Sequence, residues 1–111
     1  VNVWATWCGP CVNELPEIQK VYSELKDQGI GVVGIVADGN DAKDTAKELI
    51  ELDSLKYKMI IPDSNLEKKL ISTLRGFPTS YVVDSEGKIL GMKLGGMNAE
   101  GFKAFIEQYA K

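Results

Sequence analysis

Cys8 and Cys11 are the only cysteines of the 111-residue chain, and Gly9 and Pro10 separate them. Two intervening residues let both sulfurs reach each other across one helical turn, a spacing suited to dithiol–disulfide exchange. The chain contains no histidine. A Cys–His or Ser–His pair therefore cannot supply nucleophilic catalysis from within it. A structural zinc site takes about four Cys or His ligands, which leaves only a metal shared between two copies. A secreted disulfide scaffold would need more than one closely spaced pair. The expected reactive group is then the Cys8–Cys11 couple itself, with no cofactor and no metal. The competing readings are a static disulfide and two unrelated buried thiols.

The surrounding residues say how such a couple would be activated. Val1 to Ala5 is a short apolar run without clean alternation, as in a strand buried on both faces. Thr6 to Pro10 turn the chain, and Pro10 suits the first turn of a helix, where its missing N–H costs nothing. Cys8 is expected at the end of the strand and Cys11 inside the first helical turn. A helix N-terminus offers unpaired N–H groups and about half a positive charge, which favours thiolate over thiol. Lowering a thiol pKa from about 8.5 to about 7 corresponds to roughly 2 kcal/mol of preference for the anion. Cys8, first and nearer solvent, is the expected nucleophile; Cys11 is the shielded resolving thiol.

The elements that must hold this turn follow in order. Leu15, Ile18, Val21, Tyr22 and Leu25 recur at helical spacing between Val12 and Lys26, with Pro16 inside the helix, where a kink is expected. Gly31 to Val36 reads as a strand, and Asp41 as the N-cap of a helix over Ala42 to Leu52. Lys58 to Ile61 is a short extended piece, and Leu66, Leu70 and Leu74 mark a helix over Asn65 to Leu74. Thr79 to Asp84 and Lys88 to Leu94 form a hairpin around Ser85-Glu86-Gly87. Asn98 caps a final helix that buries Phe102, Phe105, Ile106 and Tyr109. A strand–helix–strand start implies a right-handed parallel crossover. The expected class is α/β, with a central mixed sheet flanked by helices on both faces.

A length of 111 residues fits one domain spanning 1–111. Hydrophobic content of 44% and charged content of 26% are ordinary for a globular protein. A net charge of −3 gives no reason to expect nucleic acid or an anionic membrane as partner. No apolar run approaches the roughly 18 residues of a membrane span. The first residue is Val, inside a strand pattern, so the chain reads as a piece of a longer protein. Membrane attachment is then expected only through an anchor lying upstream.

Val3-Trp4-Ala5-Thr6-Trp7-Cys8-Gly9-Pro10-Cys11, followed by Glu14 and Pro16 and later by Gly76-Phe77-Pro78-Thr79, resembles the thioredoxin superfamily over essentially the whole chain. The likeness is to its TlpA/ResA-like branch of extracytoplasmic bacterial thiol–disulfide oxidoreductases. The resemblance implies a thioredoxin-like fold in which Pro78 is cis and lies against the cysteine pair. That arrangement would expose the Phe77 backbone for a substrate segment to pair with as an added strand. Trp7, Gly9, Pro10, Phe77, Pro78 and Thr79 would make up the substrate-binding surface, with Trp4 in the core. Cytosolic thioredoxins carry a buried Asp where this chain has Asn2, which cannot titrate. Glu14 matches an acidic residue kept near the active site of the TlpA/ResA-like branch, and lies on the same helical face as Cys11. It is expected to accept or tune the proton of Cys11; the competing reading is a solvated glutamate near a helix start. Residues 38–63 correspond to an insertion typical of the branch. The family also has further N-terminal strand structure, which is missing here and would pair with Gly31–Val36 as an edge strand.

The resemblance implies reduction of protein disulfides outside the cytoplasm, with an upstream thiol electron donor restoring the dithiol. The substrate could be a cytochrome c apoprotein, another secreted protein or a sporulation factor. Three alternatives stay open. A cytosolic-type thioredoxin fits the motif but not Asn2 or the inserted helix. A peroxiredoxin-related redoxin would carry a Pro-x-x-x-Thr-x-x-Cys pattern, which is lacking. A non-enzymatic redox-sensing module would bind partners in one oxidation state without turnover.

Overall fold

The computed structural model describes residues 1–109. The apolar opening run becomes β1, Asn2–Trp4, with all three residues buried. It sits at the centre of a five-stranded sheet and leads into α1, Gly9–Leu25, which runs through Pro16. Pro16 has no N–H to return to the Val12 carbonyl, so the helix lacks one bond there. A short 3₁₀ turn, Lys26–Gln28, ends at Gly29, whose φ of 79° is a left-handed conformation that glycine adopts without strain.

β2, Val33–Val36, returns parallel to β1, with Trp4 opposite Val36. Helix α2, Lys43–Leu52, then carries the chain to β3, Lys58–Ile60, which pairs in parallel with the outer side of β2. The Gly31–Val36 segment is therefore not an edge strand. Its neighbour is supplied from within the chain, and Gly34 permits this because the Met59 thioether fills the space a Cβ would take. Asp41 is not the cap of α2 either. The Asp41 and Ala42 amides both donate to the Asp38 carbonyl, so a turn occupies that place and Ala42 precedes the helix without a side-chain bond.

The helix expected over Asn65 to Leu74 is shorter: α3 is Ser64–Lys69, capped by Asp63, which accepts the Leu66 N–H at 2.8 Å. A 3₁₀ turn follows at Ile71–Thr73, where the Ser72 and Thr73 hydroxyls donate to the Lys68 and Leu70 carbonyls and compete with helix continuation. β4, Thr79–Val83, and β5, Ile89–Leu94, form the hairpin, with β4 antiparallel to β1. Asn98 caps α4, Ala99–Glu107, as its spacing predicted.

The sheet order is β3-β2-β1-β4-β5, with β1, β2 and β3 parallel and β4 and β5 antiparallel. Trp4 and Val36 pack under α1, α2 and α4, whereas Val3, Ile35 and Tyr81 pack under α3. The mixed sheet with helices on both faces is the architecture the sequence implied. Its value to the site is placement. The turn after β1, the turn after β2 and the start of β4 all meet at one end of the sheet, a consequence of parallel and antiparallel pairing on the two sides of β1.

Candidate redox site

The cysteine pair sits where β1 hands over to α1. Cys8 is the N-cap, with extended backbone, and its Sγ accepts the Cys11 N–H at 3.3 Å. The two cysteines form a disulfide with Cα atoms 5.2 Å apart. Cys8 keeps 5% exposure and Cys11 none, while Gly9 and Pro10 between them are exposed. The sulfur nearer solvent is also the one at the helix N-terminus, where the free N–H groups favour an anion.

Two neighbouring turns close around the pair. Thr6 donates its N–H to Asp38 Oδ1 at 3.0 Å and its hydroxyl to Asp38 Oδ2 at 2.5 Å. Asp38 follows β2, and the parallel register carries it alongside the turn after β1, with the Ala37 N–H bonded to the Trp4 carbonyl. On the other side, the Phe77–Pro78 peptide is cis, and Pro78 is fully buried. The Pro78 carbonyl accepts the Gly95 N–H at 2.8 Å, and Thr79, itself buried, donates its hydroxyl to the Gly76 carbonyl at 2.8 Å. Thr79 therefore shapes this loop from inside. Trp7 is 70% exposed and meets the Phe77 ring edge-on at 5.7 Å, so the two form an apolar shelf beside Cys8. Trp4 lies in the core, as expected.

Glu14 is not a solvated residue. It is 3% exposed, one helical turn beyond Cys11, and each carboxylate oxygen accepts one bond. Asn2 Nδ2 donates to Oε1 at 2.9 Å, and the Met97 backbone N–H donates to Oε2 at 2.8 Å. Burial raises its pKa to about 7, against the opposing pull of these two donors. Asn2 Nδ2 also donates to Ser80 Oγ at 3.0 Å, which ties the group to β4. A carboxyl that titrates near neutrality beside a thiol pair can hold or release a proton within the working range.

Asp38, Ser80 and the Met97 amide were not singled out by residue type or spacing. Asp38 read as loop, and only the parallel pairing of β1 and β2 would have placed it against Thr6. Arg75 is exposed and makes no salt bridge among the described residues, as an exposed solubilising charge does.

The family model described as Redoxin matches residues 1–107, and the chain belongs to this family. It is 29% identical over 107 residues to the thiol-disulfide oxidoreductase ResA of Halalkalibacterium halodurans, covering 96% of this chain and 59% of that protein. It is 26% identical over 109 residues to the sporulation thiol-disulfide oxidoreductase A of Bacillus subtilis, covering 97% of this chain and 66% of the relative. Among solved structures, the thioredoxin domain of a thiol-disulfide oxidoreductase from Bacteroides vulgatus superposes with a TM-score of 0.82 at 26% identity, covering 99% of this chain and 76% of that one. The crystal structure of StoA from Bacillus subtilis gives 0.77 at 26% identity, covering 94% and 78%. The fold is thioredoxin-like. The chain thus spans 59% to 66% of the length of these two curated relatives.

Proposed function

We propose that this chain is the thiol–disulfide oxidoreductase domain of a ResA-like protein and that it reduces disulfides in protein substrates. The observation that carries the reading is the Cys8–Cys11 disulfide at the junction of β1 and α1, with the more exposed sulfur on the helix N-terminus. In the reduced state, Cys8 as thiolate attacks a substrate disulfide, forms a mixed disulfide and expels one substrate thiolate. Cys11, once deprotonated, attacks Cys8 Sγ, releases the second substrate thiolate and restores the Cys8–Cys11 bond. Two electrons pass to the substrate, and an upstream thiol donor returns the dithiol.

Glu14 takes the Cys11 proton in the second step, a role supported by its position on the same helix face and by its raised pKa. Trp7, Gly9, Pro10 and Phe77 offer the contact surface, and the buried Pro78 and Thr79 hold the loop that presents it. The domain acts outside the cytoplasm in this reading, which its likeness to the TlpA/ResA-like branch supports and which suits a compartment where protein disulfides persist. The Gly-Pro pair between the cysteines is that of thioredoxin, a reductant at about −270 mV.

The test is insulin reduction with Cys8→Ser and Cys11→Ser variants, together with the reduction potential of the couple. Turnover lost in both variants, with a mixed disulfide trapped only in Cys11→Ser, is the expected result. A potential well above about −200 mV would argue for an oxidant or isomerase instead. No turnover in the unaltered protein would favour a redox-sensing module.

A further inference from the structure

The hydrogen bonds around Glu14 are complete for a carboxylate and wrong for a carboxylic acid. Oε1 faces the Asn2 amide N–H and Oε2 faces the Met97 backbone N–H. A backbone N–H can only donate, so Oε2 must remain an acceptor in both protonation states. An arriving proton therefore belongs on Oε1, where it would point at another donor. In a site this buried, such a mismatch is costly.

Asn2 holds the means to resolve it. Its side chain is 3% exposed, and its Oδ1 is buried without any partner in the present arrangement. A half-turn about the Cβ–Cγ bond exchanges Oδ1 and Nδ2, so that the place now without a partner passes from the amide oxygen to the amide N–H groups. Oδ1 then meets the proton on Glu14 Oε1. Ser80 Oγ now accepts from Nδ2; because a hydroxyl both donates and accepts, it can donate to Oδ1 after the turn. An aspartate at this position could not donate to the carboxylate.

We propose that the Asn2 side chain, backed by the Ser80 hydroxyl, is a reversible partner that donates to Glu14 when it is ionised and accepts from it when it is protonated. Asn2 and Ser80 are positioning residues. The inference rests on the reading that Glu14 exchanges a proton with Cys11, and extends it by saying how the buried carboxyl stays bonded in both states. The other ionisable groups about the cluster are Cys11 on α1 and Tyr57 before β3. Cys11 has no proton in the disulfide form. The Tyr57 hydroxyl is held neutral by burial and by the negative Glu14 and Asp53.

The experiment is a pH titration of the whole oxidised chain by nuclear magnetic resonance, following the Glu14 carboxyl carbon and the Overhauser contact from the Asn2 amide protons to the Ser80 β-protons. The contact is expected above the Glu14 midpoint and lost below it. In Glu14→Gln, the Met97 donor fixes the new carbonyl on its own side, so the carboxamide NH₂ faces Asn2. The contact should then be absent at every pH. A contact unchanged across the Glu14 transition of the unaltered protein overturns the proposal, and that measurement needs no variant to fold. Asn2→Leu is expected to slow disulfide reduction about tenfold and to move its pH profile; an unchanged rate and profile overturns it as well. The Cys11 reading fails separately, if Glu14→Gln leaves the Cys11 thiol titration of the reduced protein unaltered.

Discussion

Glu14 makes its mark on stability as well as on chemistry. Its carboxyl titrates at about 7 in the fold and near 4.5 when free. Between those values the unfolded chain has released the proton and the folded chain retains it, so unfolding is favoured as pH rises across the window. With respect to this group the oxidised domain is therefore expected to be most stable below about pH 4.5, and to lose up to about 3 kcal/mol as pH rises through about 7. Urea unfolding of the unaltered protein and of Glu14→Gln at several pH values checks this. The slope should vanish in the variant, and equal slopes in both would rule Glu14 out as its source. The resemblance to the TlpA/ResA-like branch pointed to Glu14, and its spacing put it on the Cys11 face of the helix. Burial of the carboxylate was not legible, since a glutamate in the first turns of a helix is ordinarily solvated and stabilised there.

At the scale of elements, the helix and strand that carry the cysteines were readable from their own residues: an apolar run, a turn with Pro10 and a 3.6-residue period. What closes around them was not. Asp38 clamps Thr6 because β2 lies parallel to β1, and a one-residue change of register would remove the contact. Asp38→Ala is expected to cost about 2 kcal/mol through the two lost bonds, read as a lower urea midpoint with an unchanged denaturant slope. The same non-local pairing misled the reading of Gly31–Val36. Its outer neighbour, β3, has only three residues and its own pattern does not say which strand it joins. Helix α3 was overextended for a different reason: Leu66, Leu70 and Leu74 keep helical spacing, but the Ser72 and Thr73 hydroxyls bond back to the preceding carbonyls and favour a tighter turn.

Taken as a whole molecule, the two faces of the sheet are unequally covered toward its β5 edge. Ile89, Leu90, Met92 and Leu94 are all exposed, with Met92 at 62%. An exposed, apolar edge strand is a template for pairing with another chain, and Lys88 and Lys93 are the charges that blunt it here. Met92→Lys is expected to reduce concentration-dependent association in light scattering while changing unfolding stability by less than about 0.5 kcal/mol. The Cys8–Cys11 bridge spans a sequence separation of only 3. Closing so short a loop restricts the unfolded chain by about 2 kcal/mol, against nearly 5 for a bridge around a domain of this size. A small domain is ordinarily stable by about 5 to 15 kcal/mol, so breaking and remaking this bond leaves the fold standing. The disulfide is thus a tool held by the architecture and not one of its fastenings, and electrons can pass through it without loosening the protein that aims it.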